Sequence, residues 1–274
     1  MILGRCVLLA ASSLLSSSFA SAQLSKLDQV GERLAAKLKP LRPNPALVKV
    51  ADLVLSDGAR SPEGHYFAWY LSGSLQRFGS DFLLVADHLQ FDDELAKLAN
   101  PPNGYWAAEA IRAASPPIAA DIIVLGTIEK KESSYLLNLR AIRLSTDAIL
   151  DSEAQELHSS EFLESLSAAP FDTDGSVALR AGVNGVTLPS CIKCSAPGYT
   201  DAARLMKLNG RCVLLVLVSP EGTVSAIRPA KLLGNLFDEQ AYQAVKEWKF
   251  KPALDKNGKP VSAIVPAEMT FNVN

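Results

Sequence analysis

From Val261 to Phe271 the apolar side chains Val261, Ala263, Val265, Ala267, Met269 and Phe271 alternate with the polar Ser262, Glu268 and Thr270. A period of two is that of a β-strand with one face on a core and the other in water. Ile264 and Pro266 break the polar row. Proline has no N–H to give a ladder, so position 266 fits an edge strand or a bulge and not the middle of a sheet. An edge is where a strand from another chain can add itself. Val261, Ser262, Ile264, Pro266, Glu268 and Thr270 are therefore the candidate partner-binding residues.

The preceding residues supply elements for this strand to pack on. Thr200-Asp201 can cap a helix through Leu208, with Gly210 as its left-handed C-terminal residue. Cys212 to Val218 is an unbroken apolar strand, Ser219-Pro220-Glu221-Gly222 has the residue order of a type I turn, and Thr223 to Ala230 returns as the hairpin partner. Asp238-Glu239 open a second helix with Phe237, Ala241, Ala244, Val245 and Trp248 on one face, placing Trp248 and Phe250 as core anchors. Asn257-Gly258 is the turn into the last strand. Lys246, Lys249, Lys251, Lys256 and Lys259 read as a solvated face, with contact to an acidic partner or cell-wall polymer as the sharper reading.

Residues 189–274 resemble the TonB C-terminal domain. The resemblance is carried by Tyr199, Ala203-Arg204, Gly210, Pro220-Glu221-Gly222, Asp238, Ala244-Val245, Trp248-Lys249-Phe250-Lys251-Pro252, Gly258-Lys259-Pro260-Val261 and Phe271. It implies an α-β-β-α-β domain in which Tyr199, Gly210, Gly222, Trp248, Phe250 and Pro252 are structural. It further implies a domain that contacts outer-membrane TonB-dependent transporters by pairing its last strand with an extended peptide. A TonB-type energy transducer, with residues 1–22 kept as a membrane anchor, is the alternative it brings. The chain departs from that pattern: its N-terminal segment has no histidine, and a globular segment stands where the family has a proline-rich spacer.

The first half reads differently. Leu24, Leu27, Val30, Leu34 and Leu38 recur at helical spacing in an amphipathic helix and linker over 23–44, ended by Pro43 and Pro45. A strand from Val48 to Leu55, a helix over about 62–78 capped by Ser61-Pro62-Glu63, and a strand from Phe82 to Ala86 follow. Short helices are expected over Glu94 to Ala99 and Tyr105 to Ala114. Then come three strands, Ile122 to Ile128, Tyr135 to Leu144 and Ala148 to Gln155. Residues 45–157 thus form a β-α-β-α-β-β-β domain. The run Ala120-Asp121-Ile122-Ile123-Val124-Leu125-Gly126-Thr127-Ile128, followed by Tyr135-Leu136-Leu137-Asn138-Leu139-Arg140 and Ile149-Leu150, resembles the TolB N-terminal domain and FlgO-like envelope proteins. Residues 158–188, rich in Ser, Ala, Asp and Gly, read as a linker. The expected class is α+β with two domains.

Arg5, the apolar run to Leu15 and the closing Ala20-Ser21-Ala22 have the pattern of a secretory signal peptide over 1–22, and predict a periplasmic chain starting at Gln23. A net charge of −2 gives no broad nucleic-acid footprint. Export permits disulfides among Cys191, Cys194 and Cys212, either within the Cys-x-x-Cys pair or from one of them to Cys212. A thiol-disulfide enzyme would use the same pair, but needs it at a helix start, and the pair precedes the helix. His65, His88 and His158 are scattered singly, so no metal site, cofactor or catalytic residue is assigned. The expected function is non-enzymatic protein binding in the envelope, with a homodimer by strand exchange left open.

Overall fold

The same periodicities set the elements of the folded chain. The computed structural model describes residues 26–39, 45–86, 91, 111, 118–171, 179–198, 210–233 and 237–272, and the chain divides into two units, Met1–Ser160 and Glu161–Asn274. The leader, the helices expected over 94–99 and, apart from Ile111, over 105–114, Tyr199 and the helix through Leu208 lie outside the described residues.

In the first unit, β1 (Ala46–Val50), β2 (Leu83–Val85), β3 (Ile122–Lys130), β4 (Ser134–Arg143) and β5 (Ala148–His158) form one sheet in the order β2-β1-β3-β4-β5. β1 is parallel to β2 and β3, and the last three strands are antiparallel. β3 is buried on both faces, which explains its unbroken apolar run. Ile123 and Leu125 pack with Phe91, Ile111 and Leu144, while residues of the opposite parity face the side where Phe67 meets Tyr135 edge-on at 5.7 Å. The strand expected over 48–55 is divided. β1 stops at Val50, and the chain rejoins β3 at Val54, whose N–H donates to the Gly126 carbonyl at 3.2 Å.

α1 (26–38) buries Leu27, Val30, Leu34 and Leu38, the stripe its spacing predicts. α2 (Pro62–Gly79) starts on Ser61, whose Oγ accepts from the Gly64 N–H at 3.0 Å. It buries Tyr66, Phe67, Tyr70, Leu71 and Leu75, whereas Phe78, expected on that face, is exposed beneath the Arg77 guanidinium. α1 approaches α2 where Gly31 faces Ser74 with no room for a Cβ. There Asp28 accepts from Arg77 at 2.6 and 3.1 Å and from Ser74 at 3.2 Å. Burial, and then the Asp28 carboxylate, push the nearby Tyr70 hydroxyl far above its ordinary pKa. Arg33 and Lys37 bond Glu153 and Asp151 of β5.

The second unit has α3 (Glu161–Leu166), β6 (Leu179–Arg180), β7 (Ser190–Lys193), β8 (Gly210–Val218), β9 (Val224–Lys231), α4 (Phe237–Lys246), β10 (Lys249–Lys251), β11 (Ala253–Leu254), β12 (Pro260–Val261) and β13 (Ala263–Phe271). Four strands form a sheet in the order β6-β13-β8-β9, and β10-β7 and β11-β12 form two ribbons. Cys212, Leu214, Val216 and Val218 bury one face of β8, and α4 lies against the sheet with Phe237 stacked on Phe271 at 4.2 Å. α3 joins through Phe162 on Tyr242 and Glu161 bonded to Lys246.

The linker reading of 158–188 is corrected here. Residues 158–188 contain the end of β5, α3 and β6, and Val186 packs with Ala253 and Ala263 in a small core. Small residues gave the stretch a linker's composition, but Phe162, Leu163, Leu179 and Val186 are enough apolar surface to fold it onto the unit.

Candidate partner-binding edge

β13 pairs with β8 along its whole length, from Ala263 opposite Val218 to Phe271 opposite Gly210. On its other side β6 covers only the beginning, where the Ser262 and Ile264 carbonyls accept from the Leu179 and Ala181 N–H groups at 3.1 and 3.2 Å. Backbone polar groups alternate sides along a strand, so those of 266, 268 and 270 point the same way as those of 262 and 264. Among the described residues no strand covers that edge beyond Ile264. Pro266 fits this placement: its missing N–H would have faced outward, so the ladder to β8 loses nothing. The side chains of Pro266, Glu268 and Thr270 are exposed, and Glu268 accepts from Arg211 at 3.1 Å.

The six expected edge residues therefore separate. Val261 lies in β12, opposite Ala253, and is not on the edge of β13. Ser262 and Ile264 face the edge but are occupied by β6, and Ile264 is buried as well. Pro266, Glu268 and Thr270 remain. The signal missed in the sequence was β6, a strand too short to show a period.

Of the residues expected to be structural, Gly210, Gly222, Trp248, Phe250 and Pro252 are described. Gly210 opens β8, with the Leu233 side chain occupying the space a Cβ would need. Gly222 closes the turn after β8, its N–H donating to the Ser219 carbonyl at 2.9 Å and its carbonyl accepting from the Phe250 N–H at 2.8 Å. Phe250 is buried, and Pro252 follows β10 half-buried. Trp248 differs from expectation: α4 ends at Lys246, and the half-buried indole donates from Nε1 to the Ser195 carbonyl at 2.9 Å and meets Phe250 edge-on. It fastens a loop more than it fills a core.

That loop holds the Cys191–Cys194 disulfide, and Cys212 is free and buried. The pair lies at the end of β7, and among the described residues no helix starts at it, whereas a redox pair takes its low thiol pKa from a helix start. Burial first, and the Asp238 carboxylate second, push the Cys212 thiol up to about 12. It stays neutral in the folded chain, so native protein at mildly alkaline pH is predicted to leave Cys212 unmodified by iodoacetamide while denaturant exposes it. Peptide mass mapping checks this, and rapid labelling in the native state would contradict the packing of β8. Among the described residues no group of three or more His, Cys, Asp or Glu is placed to hold a metal ion. None of the described helices is long and apolar enough to cross a membrane.

Residues 195–273 match the family model of the Gram-negative bacterial TonB protein C-terminal. The match is to this C-terminal segment and not to the chain as a whole. Among solved structures the chain is similar to the TonB CTD of Pseudomonas aeruginosa, at 20% identity over 34% of this chain and 91% of that one, with a TM-score of 0.28. It is also similar to the LpoB C-terminal domain from Salmonella enterica, at 12% identity over 47% and 95% with a TM-score of 0.36. The lipoprotein GNA1162 from Neisseria meningitidis matches at 16% identity over 42% and 81%, with a TM-score of 0.29. At such scores these are recorded as likenesses only. No curated protein matches the chain. In this C-terminal segment the turn at Gly222 meets the Trp248 to Pro252 stretch through the bond from the Phe250 N–H to the Gly222 carbonyl, and β8, which leads into that turn, pairs with β13.

Proposed function

We propose that the chain is a non-enzymatic, periplasmic protein-binding module whose TonB C-terminal segment takes an extended peptide from an envelope protein onto the edge of β13. An outer-membrane TonB-dependent transporter is the kind of partner the family suggests. The observation that carries this reading is the edge from Pro266 to Thr270, which β6 leaves uncovered. It offers the carbonyls of Pro266, Glu268 and Thr270 and the N–H groups of Glu268 and Thr270. Each backbone hydrogen bond contributes about 1 kcal/mol net, so affinity comes from a row of them and specificity from the side chains beside them.

The test uses a change that removes one outward donor and leaves the ladder to β8 intact. Glu268→Pro does this at the position two beyond the native Pro266, and costs only an exposed ion pair with Arg211, which contributes about 0–1 kcal/mol. Outer-membrane extract from the cells that make the chain is passed over the immobilised protein and the bound fraction is quantified by mass spectrometry. A set of proteins retained by the native chain is expected to fall about tenfold with Glu268→Pro, at nearly unchanged melting temperature. Equal retention by both would contradict strand addition at this edge.

A further inference from the structure

A second exposed surface lies on the β7–β10 ribbon. Lys251 stands opposite Ser190 and Phe250 opposite Cys191, and a bulge then sets Lys193 opposite Lys249 with Ile192 as the extra residue. Directly opposed residues share a face. Phe250 is buried, so the other face, with Lys249, Lys251, Lys193 and Ile192, is turned to solvent. Ile192 is 71% exposed, and Leu188, just before the strand, is 65% exposed. None of the ion pairs among the described residues uses Lys193, Lys249 or Lys251, although Arg33, Lys37, Arg77, Arg211 and Lys246 all have carboxylate partners. The surface is thus cationic with an aliphatic tip, and among the described residues no carboxylate is ion-paired with its three lysines.

Its shape is fixed from both sides. The Cys191–Cys194 disulfide spans Ile192 and Lys193, and the Trp248 indole holds Ser195 just after it. The backbone that carries Ile192 and Lys193 is therefore ordered before any docking.

We infer that this ribbon face docks on an anionic lipid surface, with Ile192 entering the headgroup boundary and Lys193, Lys249 and Lys251 meeting the lipid phosphates. Lysines near an anionic leaflet and aliphatic side chains leaving water both favour such docking. A planar surface reaches both strands of the ribbon at once. An acidic peptide adding at the β7 edge would lie next to Ile192, with Lys249 and Lys251 one strand farther in, about 5 Å away. The site is separate from the β13 edge, and its test does not depend on that reading.

Full-length protein is mixed with vesicles of phosphatidylcholine alone, or with about one-third phosphatidylglycerol, and bound protein is measured by flotation at low and high salt. Binding to the anionic vesicles alone, weakened by salt, is expected. Lys249→Glu with Lys251→Glu should lower the partition coefficient about 10-fold or more, and Ile192→Ser about 5-fold, because both charge and aliphatic insertion are lost. Both changes are on exposed positions, and an unchanged Cys191–Cys194 disulfide and circular dichroism spectrum verify the fold. Lys193→Glu is a second charge reversal on the same face, expected to weaken binding in the same direction. Absence of binding to anionic vesicles, or binding that the variants leave unchanged, would overturn the inference. So would capture of a poly-glutamate peptide by the native chain without vesicle binding, which would assign the face to an acidic protein segment.

Discussion

Gly222→Ala is expected to unfold the TonB C-terminal unit at a temperature lower by about 10 °C or more. Two costs act together. Gly222 has φ +79°, a left-handed conformation that costs a residue with a Cβ roughly 1–2 kcal/mol. That Cβ would also overlap the Phe250 carbonyl oxygen, so the turn must part from β10 and lose the bond from the Phe250 N–H to the Gly222 carbonyl. The sum is about 3 kcal/mol. Gly258→Ala separates the terms, because Gly258 shares the φ of +79° but has nothing within 4 Å of its Cβ position. It should cost only about 1 kcal/mol. Calorimetry of both variants measures the difference, and equal melting temperatures would show that the approach to Phe250 does not matter.

Gly64→Ala decides between two opposed effects in the first unit. Gly64 lies in the first turn of α2, where alanine gains up to about 1 kcal/mol in helix propensity. Its Cβ, however, would overlap the Leu53 carbonyl oxygen, and Gly64 itself receives the Leu53 N–H at 3.3 Å and donates to Ser61. Moving the helix start away from this segment costs the cap, about 1 kcal/mol, and a strain of about 1–3 kcal/mol typical of overpacking. Overlap wins, and a net loss of about 2 kcal/mol is expected in urea unfolding of this unit. A stabilised variant would mean that α2 can shift freely against residue 53.

Much of this was legible in the chain because its signals are local. The stripe Leu27, Val30, Leu34, Leu38, the Ser61-Pro62-Glu63 start, the Ser219 to Gly222 turn and the alternation from Ala263 to Phe271 each depend on neighbours in sequence. What was misread depends on distant partners. Ile264 looks like an edge residue until β6 arrives to pair with it, and Trp248 looks like the end of a helix until α4 stops at Lys246 and the indole finds Ser195. Composition misled over 158–188, where a few apolar residues outweigh many small ones. Three cysteines left the pairing open, and it closed only because Cys212 faces the core of β8 while Cys191 and Cys194 stand outside it.

The central claim is that the edge of β13 beyond Ile264 receives a strand of a partner. A photoreactive amino acid placed at Thr270, exposed on β13, and separately at Ser225, exposed on β9, tests it in living cells. The account predicts cross-links from position 270 that map by mass spectrometry to one extended segment of an envelope protein and fall about tenfold with Glu268→Pro. Cross-links that are equal from positions 225 and 270, or that are undiminished in Glu268→Pro, would contradict it.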